Sequence, residues 1–287
     1  MRVTIVTISF NQATYLERTL ESVLTQNYPN IEYIVVDPGS TDGSREIIER
    51  YRDRLAAVLL EPDSGPADGL NRGFSLASGT IFGYLNSDDV LLPDAVARAV
   101  HAFRKNPDAD VVYGHGYVVD EDDVVLRRFH SRRFTAWRYV YDAADVMQQA
   151  TFVRRSALAA AGGFNPDNRV MWDAELLIDL ARAGSRFVRV DEYWALFRLH
   201  TGSISGSGAG KPDPKRAARE GQFASEIRRH RERLFEKAIG RPRRPSDRVV
   251  RTSARLLGWA TDPAHVAIRL RDLAGGSALL RRVGRSA

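Results

Sequence analysis

The chain of 287 residues has no cysteine at all. That excludes disulfides, thiolate nucleophiles, iron–sulfur ligation and cysteine-type zinc sites, and it fits a reducing compartment. A run of about 20 apolar residues is also missing, so no membrane-spanning helix is expected. The apolar stretch Val3–Ile8 is too short for the core of a signal peptide and reads as a strand. Together these predict a cytoplasmic location. Glycine is absent from Ser9-Phe10-Asn11-Gln12, directly after that strand. A nicotinamide-binding fingerprint and a triphosphate-cradling loop both need glycine there, which argues against an oxidoreductase and a nucleotidyltransferase. No internal repeat is present.

What the chain does have is a divided charge. Residues 211–287 hold 20 Lys and Arg against 8 Asp and Glu, whereas residues 1–210 hold 22 against 28. An acidic body of −6 therefore carries a basic extension of +12, and the reading places a domain boundary there: 1–210 and 211–287. Such asymmetry suggests an anionic partner. The basic helices lack the interleaved aromatics of a nucleic-acid stacking platform, and the acidic body would repel phosphate, so no nucleic acid is expected.

The first half alternates strands and helices. Val3–Ile8, Ile31–Val36, Ala56–Leu60 and Thr80–Leu85 are strand-like apolar runs. Leu16, Leu20, Val23 and Leu24 form one face of a helix, opened by a Thr14/Glu17 capping box. Further helices are expected at Asp68–Ala77 and after Pro93, with short strands at 111–113 and 117–119. This spacing predicts an α/β fold with a mostly parallel, Rossmann-like sheet flanked by helices. Ligands of such sheets bind beyond the carboxyl ends of the strands. Asp37 and the pair Asp88-Asp89 both follow strand ends, so the fold should bring them to one edge. Beyond residue 128 come an aromatic segment (129–141) read chiefly as packing, a return strand at 149–153, a helix over 172–183 and a Gly/Ser-rich stretch at 202–210.

Asn86-Ser87-Asp88-Asp89 is the sharpest chemical signal. Adjacent carboxylates at a strand end repel one another unless a cation sits beside them. A divalent ion shared between carboxylates and substrate phosphates answers that need. Read alone, Asp89 is an exposed strand-end carboxylate that contributes little to packing.

Several segments in order resemble the family 2 glycosyltransferases of GT-A fold. They are Val6–Asn11, Val35–Ser44, Glu61–Gly73, Leu85–Asp89, Gly162-Gly163-Phe164, Trp172–Leu176 and Arg198–Ser205. The resemblance spans roughly residues 1–205. It implies an inverting, metal-dependent transfer of a sugar from a nucleotide-diphosphate donor to an acceptor hydroxyl, in cell-envelope glycolipid or polysaccharide synthesis. It implies that Ser9 and Asp37 border the base, that Asp68 contacts the nucleotide, and that Asp88 faces the ribose or sugar. Asp89 would take the Mg²⁺ or Mn²⁺ that bridges the diphosphate, with His200 nearby. Asp173 would be the general base. The family commonly has Glu-Asp there, and this chain has Trp172-Asp173, which leaves Glu175 as a second candidate. Gln148 and Gln149 are candidates to touch sugar or acceptor hydroxyls. A non-catalytic nucleotide-sugar-binding protein on the same fold is the alternative, and the retention of Asp89 and Asp173 speaks against it.

Between Ser246 and Leu280, apolar residues such as Val249, Leu256, Leu257, Trp259 and Leu270 are mixed with arginines. That is the composition of interfacial amphipathic helices. It predicts peripheral attachment to an anionic membrane on its inner face, suited to a lipid-linked, glycolipid or oligosaccharide acceptor. The competing account packs these helices on the body or on a second copy of the chain.

Overall fold

The computed structural model describes residues 1–200, 214–260, 262 and 266–268, without the side chains of 214–223 and 257–260. Four strands, β1 (Val3–Ile8), β2 (Ile31–Val36), β3 (Ala57–Leu59) and β4 (Ile81–Asn86), alternate with α1 (Ala13–Leu24), α2 (Ser44–Tyr51) and α3 (Pro66–Ser75). They pair in parallel in the order β3-β2-β1-β4. Each apolar run divides its side chains between two faces, as the two-residue period of a strand requires. Val3, Ile5, Tyr33, Val35, Ile81 and Leu85 pack against α1 and α2. Val6, Ile34, Val36, Phe82 and Tyr84 pack with Leu70 and Phe74 of α3. Both faces are covered, so the strands are mostly apolar, and the buried Glu32 among them is met by Thr4 and Ser78.

The second half is mixed rather than parallel. It comprises β5 (Val90–Leu91), α4 (Ala95–Lys105), β6 (Val111–Val119), β7 (Val125–Phe129), α5 (Ala136–Val140), β8 (Thr151–Arg154), α6 (Arg155–Ala160), α7 (Trp172–Arg182) and β9 (Phe187–Arg198). β8 runs antiparallel between β4 and β6, while β9 runs parallel to β6 and antiparallel to β5. The sheet expected to be mostly parallel is therefore wholly parallel in its first half and mixed in its second, where β6 and β9 form the one parallel pair among the described strands.

Two local expectations are corrected. The Thr14/Glu17 capping box does not form, because α1 begins at Ala13. Its first N–H groups are met from another loop: Asp42 Oδ2 accepts from Ala13 N and Ser44 Oγ from Gln12 N. The two short strands expected at 111–119 are one strand of nine residues. Gly114 and Gly116 lie within it because neighbours press close: a Cβ at Gly116 would stand 2.6 Å from the Ala195 carbonyl oxygen.

Two further helices, α8 (Pro214–Ile239) and α9 (Asp247–Ala260), follow the stretch 201–213. Leu234 and Phe235 of α8 and Ala254 of α9 are buried against Val140, Tyr141, Ala174 and Ile178. These helices thus pack on α5 and α7. Val249 and Leu256 are each 70% exposed, while Val250 turns toward the body. The remaining apolar residues named for the amphipathic reading lie largely outside the described residues. Among those described, no helix is long and apolar enough to cross a membrane.

Candidate functional site

Register creates the site. Ile8 of β1 pairs with Val36 of β2 on one side and Asn86 of β4 on the other. Ser9, Asp37 and Ser87 therefore leave the sheet at the same edge. A cleft of about 740 Å³ opens there, in the size range of small-molecule sites.

One wall carries Ser9, Phe10 and Pro38. Ser9 is 2% exposed, and its hydroxyl has no hydrogen-bond partner among the described residues. A buried polar atom without a protein partner on a cleft wall leaves a hydrogen bond for a ligand or water to make. Phe10 is 60% exposed at the mouth. Asp37 is fully buried behind Pro38, and its carboxylate holds its own loop together. It accepts from Gly39 N and Ser40 N at 3.1 and 2.8 Å, from Ser40 Oγ at 2.6 Å, and from Arg45 Nε at 3.3 Å. That loop is laced to the β1 turn: Ser40 Oγ accepts from Asn11 N, and Asn11 Oδ1 from Thr41 N. Asp37 thus fixes the wall without bordering the cleft. Asp68 does not border it either, since its carboxylate accepts from Ser64 N. The carboxylate that does is Asp63, which accepts from Gly65 N at 2.9 Å. Burial pushes its carboxyl above the ordinary range. Gly69 makes room for it, because a Cβ there would stand 2.7 Å from Asp63 Oδ2.

Beyond β4 the two adjacent carboxylates separate. Asp88 borders the cleft, and its Oδ2 lies 3.0 Å from His200 Nε2. The His200 ring rests on Tyr15, with centroids 4.6 Å apart. Asp89 is 1% exposed, so the expected exposed strand-end carboxylate is in fact interior. It accepts from Gln149 Nε2 at 2.8 Å, Arg198 N at 3.0 Å and Asn86 Nδ2 at 3.2 Å. Burial and the Asp88 charge push its carboxyl well above the ordinary range. The Arg198 guanidinium clamps the turn through the Asp88 carbonyl, the Asp120 carbonyl and the Asp123 carboxylate.

Among the described residues, no three His, Asp or Glu side chains converge as a ready-made metal cage. The donors present nevertheless suit a hard divalent cation completed by phosphate oxygens. Two mutually repelling carboxylates stand beside an imidazole, and the buried Asn86 Oδ1 on the cleft wall has no partner among the described residues. Asp89 would have to give up Gln149 or Asn86 to reach such an ion.

The opposite wall comes from Gln148, Gln149, Arg169, Trp172 and Asp173. Gln149 is thereby tied to Asp89, and Gln148 donates to the Tyr84 carbonyl. Asp173 stands in the first turn of α7. Burial pushes its carboxyl up, against the backbone N–H of Ala174. Glu175 is engaged elsewhere. It accepts from Asn165, Asn168 and Lys237, the last at 2.8 Å, and these donors hold its carboxyl below the ordinary range despite burial. The structure therefore brings Ser9, Asp88 and Asp173 to the cleft, puts Asp89 directly behind it and His200 against Asp88, and leaves Asp37 and Asp68 as loop supports. Asp63, Arg169 and the rim position of Phe10 were not singled out from the sequence. Asp63 and Phe10 lay inside recognised segments, while Arg169 had no signal of its own.

The sheet order, with the cleft at the carboxyl ends of its strands, is that of the GT-A fold. The chain belongs to glycosyl transferase family 2, whose model matches residues 4–161. An uncharacterized glycosyltransferase of Nostoc sp., alr2836, is 32% identical over 129 residues, 44% of this chain, and the match spans 40% of that protein's length. TuaG of Bacillus subtilis, provisionally named a teichuronic acid biosynthesis glycosyltransferase, is 26% identical over 206 residues, 71% of this chain and 81% of TuaG. Among solved structures, TarS of S. aureus with UDP-GlcNAc has a TM-score of 0.60 at 19% identity, covering 83% of this chain and 72% of that one. The mannosyltransferase PcManGT of Pyrobaculum calidifontis, with GDP-Man and Mn²⁺, has a TM-score of 0.59 at 20% identity, covering 98% and 77%.

Proposed function

We propose that the protein is an inverting, divalent-cation-dependent glycosyltransferase that moves a sugar from a nucleotide diphosphate to an acceptor hydroxyl in cell-envelope glycan or glycolipid synthesis. The observation that carries this reading is the charge of the cleft. Asp63, Asp88 and Asp173 line it, with Arg169 the only basic side chain among the described residues on its walls. A diphosphate would be repelled by such a lining, and a bound cation reverses that. Asp88, Asp89 and His200 would hold the cation, and Mg²⁺ or Mn²⁺ there supplies charge stabilisation to the departing diphosphate.

Ser9 and Phe10 contact the nucleoside, with Asp37 and Asp68 stiffening the loops behind them. Across the cleft, Asp173 accepts the proton of the acceptor hydroxyl as its oxygen bonds to the anomeric carbon. The bond from that carbon to the diphosphate breaks, and the electron pair leaves with the phosphate oxygen. One displacement from the opposite face inverts the anomeric centre. The raised affinity of Asp173 for protons suits a base, whereas Glu175 is spent on Lys237.

On this reading residues 1–210 form the catalytic unit, and the basic extension 211–287 attaches it to the inner face of the membrane. The exposed Val249 and Leu256 among arginines support that attachment. The burial of Leu234 and Phe235 against α5 and α7 supports a second use of the extension, in bracing the body. Self-association through the same helices is the competing use.

The test is thermal stabilisation by UDP-, GDP- and dTDP-sugars with and without Mn²⁺ or Mg²⁺, followed by NMR of the product anomer. One nucleotide class should stabilise the protein only with metal, and the product should be inverted. Retention of configuration would reject the single displacement. Failure of every donor to bind would reject the transferase reading. Pelleting of the full chain with anionic vesicles at low salt, lost at high salt, checks the membrane attachment.

A further inference from the structure

A second cavity, of about 430 Å³, lies between the segment 139–145, the start of α7, and helices α8 and α9. Its charge is opposite to that of the cleft. Five arginines line it against three carboxylates, and each carboxylate is already matched. Glu232 pairs with Arg243 at 3.2 Å, Asp142 with Arg251 at 3.6 Å, and Asp145 with Arg132. Among the described residues, Arg228, Arg231 and Arg248 are left without a carboxylate partner. These three residues line one cavity together with the apolar Val140, Met171 and Leu234.

Unmatched cations held round a concavity repel one another and raise the local concentration of anions. The guanidinium fork matches phosphate oxygens two at a time. Three unpaired forks are more than a single carboxylate needs, and they suit a group carrying two or more charges.

The cavity also shares its walls with the cleft. Ala144 and Asp145 border the cavity, and the next residues, Val146 to Gln149, border the cleft. Met171 borders the cavity, and its neighbours Val170, Trp172 and Asp173 border the cleft. Tyr139, on the cavity wall, is close enough to Asp173 for that charge to help push its phenol up. The basic cavity thus adjoins the side of the cleft where the base stands, away from Ser9.

We propose that this cavity binds a phosphate or diphosphate group of the acceptor and so fixes the acceptor hydroxyl beside Asp173. The word acceptor rests on the transferase reading, whereas the binding of phosphate does not. The experiment is calorimetric titration of the full chain with inorganic pyrophosphate in EDTA, where the acidic cleft has no cation to retain it. One saturable site is expected. The double variant Arg231→Gln/Arg248→Gln should weaken it about tenfold or more. A double variant of equal charge change off the cavity, Arg229→Gln/Arg255→Gln, should leave it unchanged.

No saturable binding by the unmodified chain, or equal weakening in both double variants, would overturn the proposal. Phosphatidylcholine vesicles with and without a polyprenyl diphosphate distinguish the sources of the group. Pelleting that needs both the diphosphate lipid and the cavity arginines assigns a lipid headgroup. Pyrophosphate binding without such pelleting assigns a soluble phosphorylated acceptor. Metal-dependent donor binding should be unchanged in the cavity variant. If the unmodified chain binds pyrophosphate but no nucleotide sugar, the transferase reading fails and the anion site stands.

Discussion

His200 Nε2 lies 3.0 Å from Asp88 Oδ2, although 112 residues separate them. The contact closes the cleft edge by joining the turn after β4 to the end of β9. If the pair belongs to the cation site, His200→Ala should weaken metal-dependent nucleotide-sugar binding about tenfold, the loss of one ligand or its orienting partner. Thermal shifts measured with and without Mn²⁺ would check it. An equal loss in both conditions would make the contact structural only.

Asp89→Ala is expected to destabilise the fold as well as to abolish turnover. The substitution strands the Gln149 amide and the Arg198 N–H inside the protein, which costs about 1–3 kcal/mol. Urea unfolding gives that figure directly. An unchanged midpoint would show that the three hydrogen bonds at Asp89 contribute nothing net.

Asp173→Asn should keep donor affinity and lower the transfer rate by roughly 10²–10⁴-fold, as for loss of a general base. The pH dependence follows from the raised carboxyl. A base must be unprotonated, so the rate rises with pH through a value above the ordinary aspartate range of about 3.9. The Asn variant should lose that acidic limb. A limb that persists would assign it to another group.

Lys237 joins α8 to α7 by ion pairs with Glu175 at 2.8 Å and Asp179 at 2.6 Å. Lys237→Met should cost about 1–3 kcal/mol, because a largely buried carboxylate loses a charged donor. Glu175 has a depressed carboxyl in the folded state, so its contribution is full above its unfolded value and is lost as pH falls through the folded one. The effect of Lys237→Met should therefore shrink in acid. Unfolding curves at neutral and acid pH would show it.

Phe10→Ala should raise the donor KM about tenfold with kcat held, since a base stacked on an exposed ring is worth about 1–3 kcal/mol. An unchanged KM would place the nucleoside elsewhere on the wall.

The parallel half of the sheet was legible because its strands are short, mostly apolar and rich in β-branched residues, which burial on both faces favours. β6 was read as two pieces because Gly114 and Gly116 look like interruptions. Their reason is the approach of β9 and Met147, which sequence alone does not display. The edge on which Asp88 stands followed from topology. The burial of Asp89 did not, because its partners Gln149 and Arg198 are 60 and 109 residues away. Asp37 was found as a strand-end carboxylate, but local spacing could not tell a ligand contact from a loop brace. Glu175 and Asp173 lie in the same helical turn, and what sets their surroundings apart, the cleft beside Asp173 and the donors Asn165, Asn168 and Lys237 around Glu175, is not displayed by local spacing.

The family match ends at residue 161, twelve residues before Asp173. The helix that carries Asp173 is clamped instead by Lys237 and packed against Phe235, from the basic extension. The basic extension therefore helps to seat the cleft wall that carries Asp173, opposite Ser9. Exchanging 211–287 between relatives should then alter which acceptor is used and leave the nucleotide sugar the same.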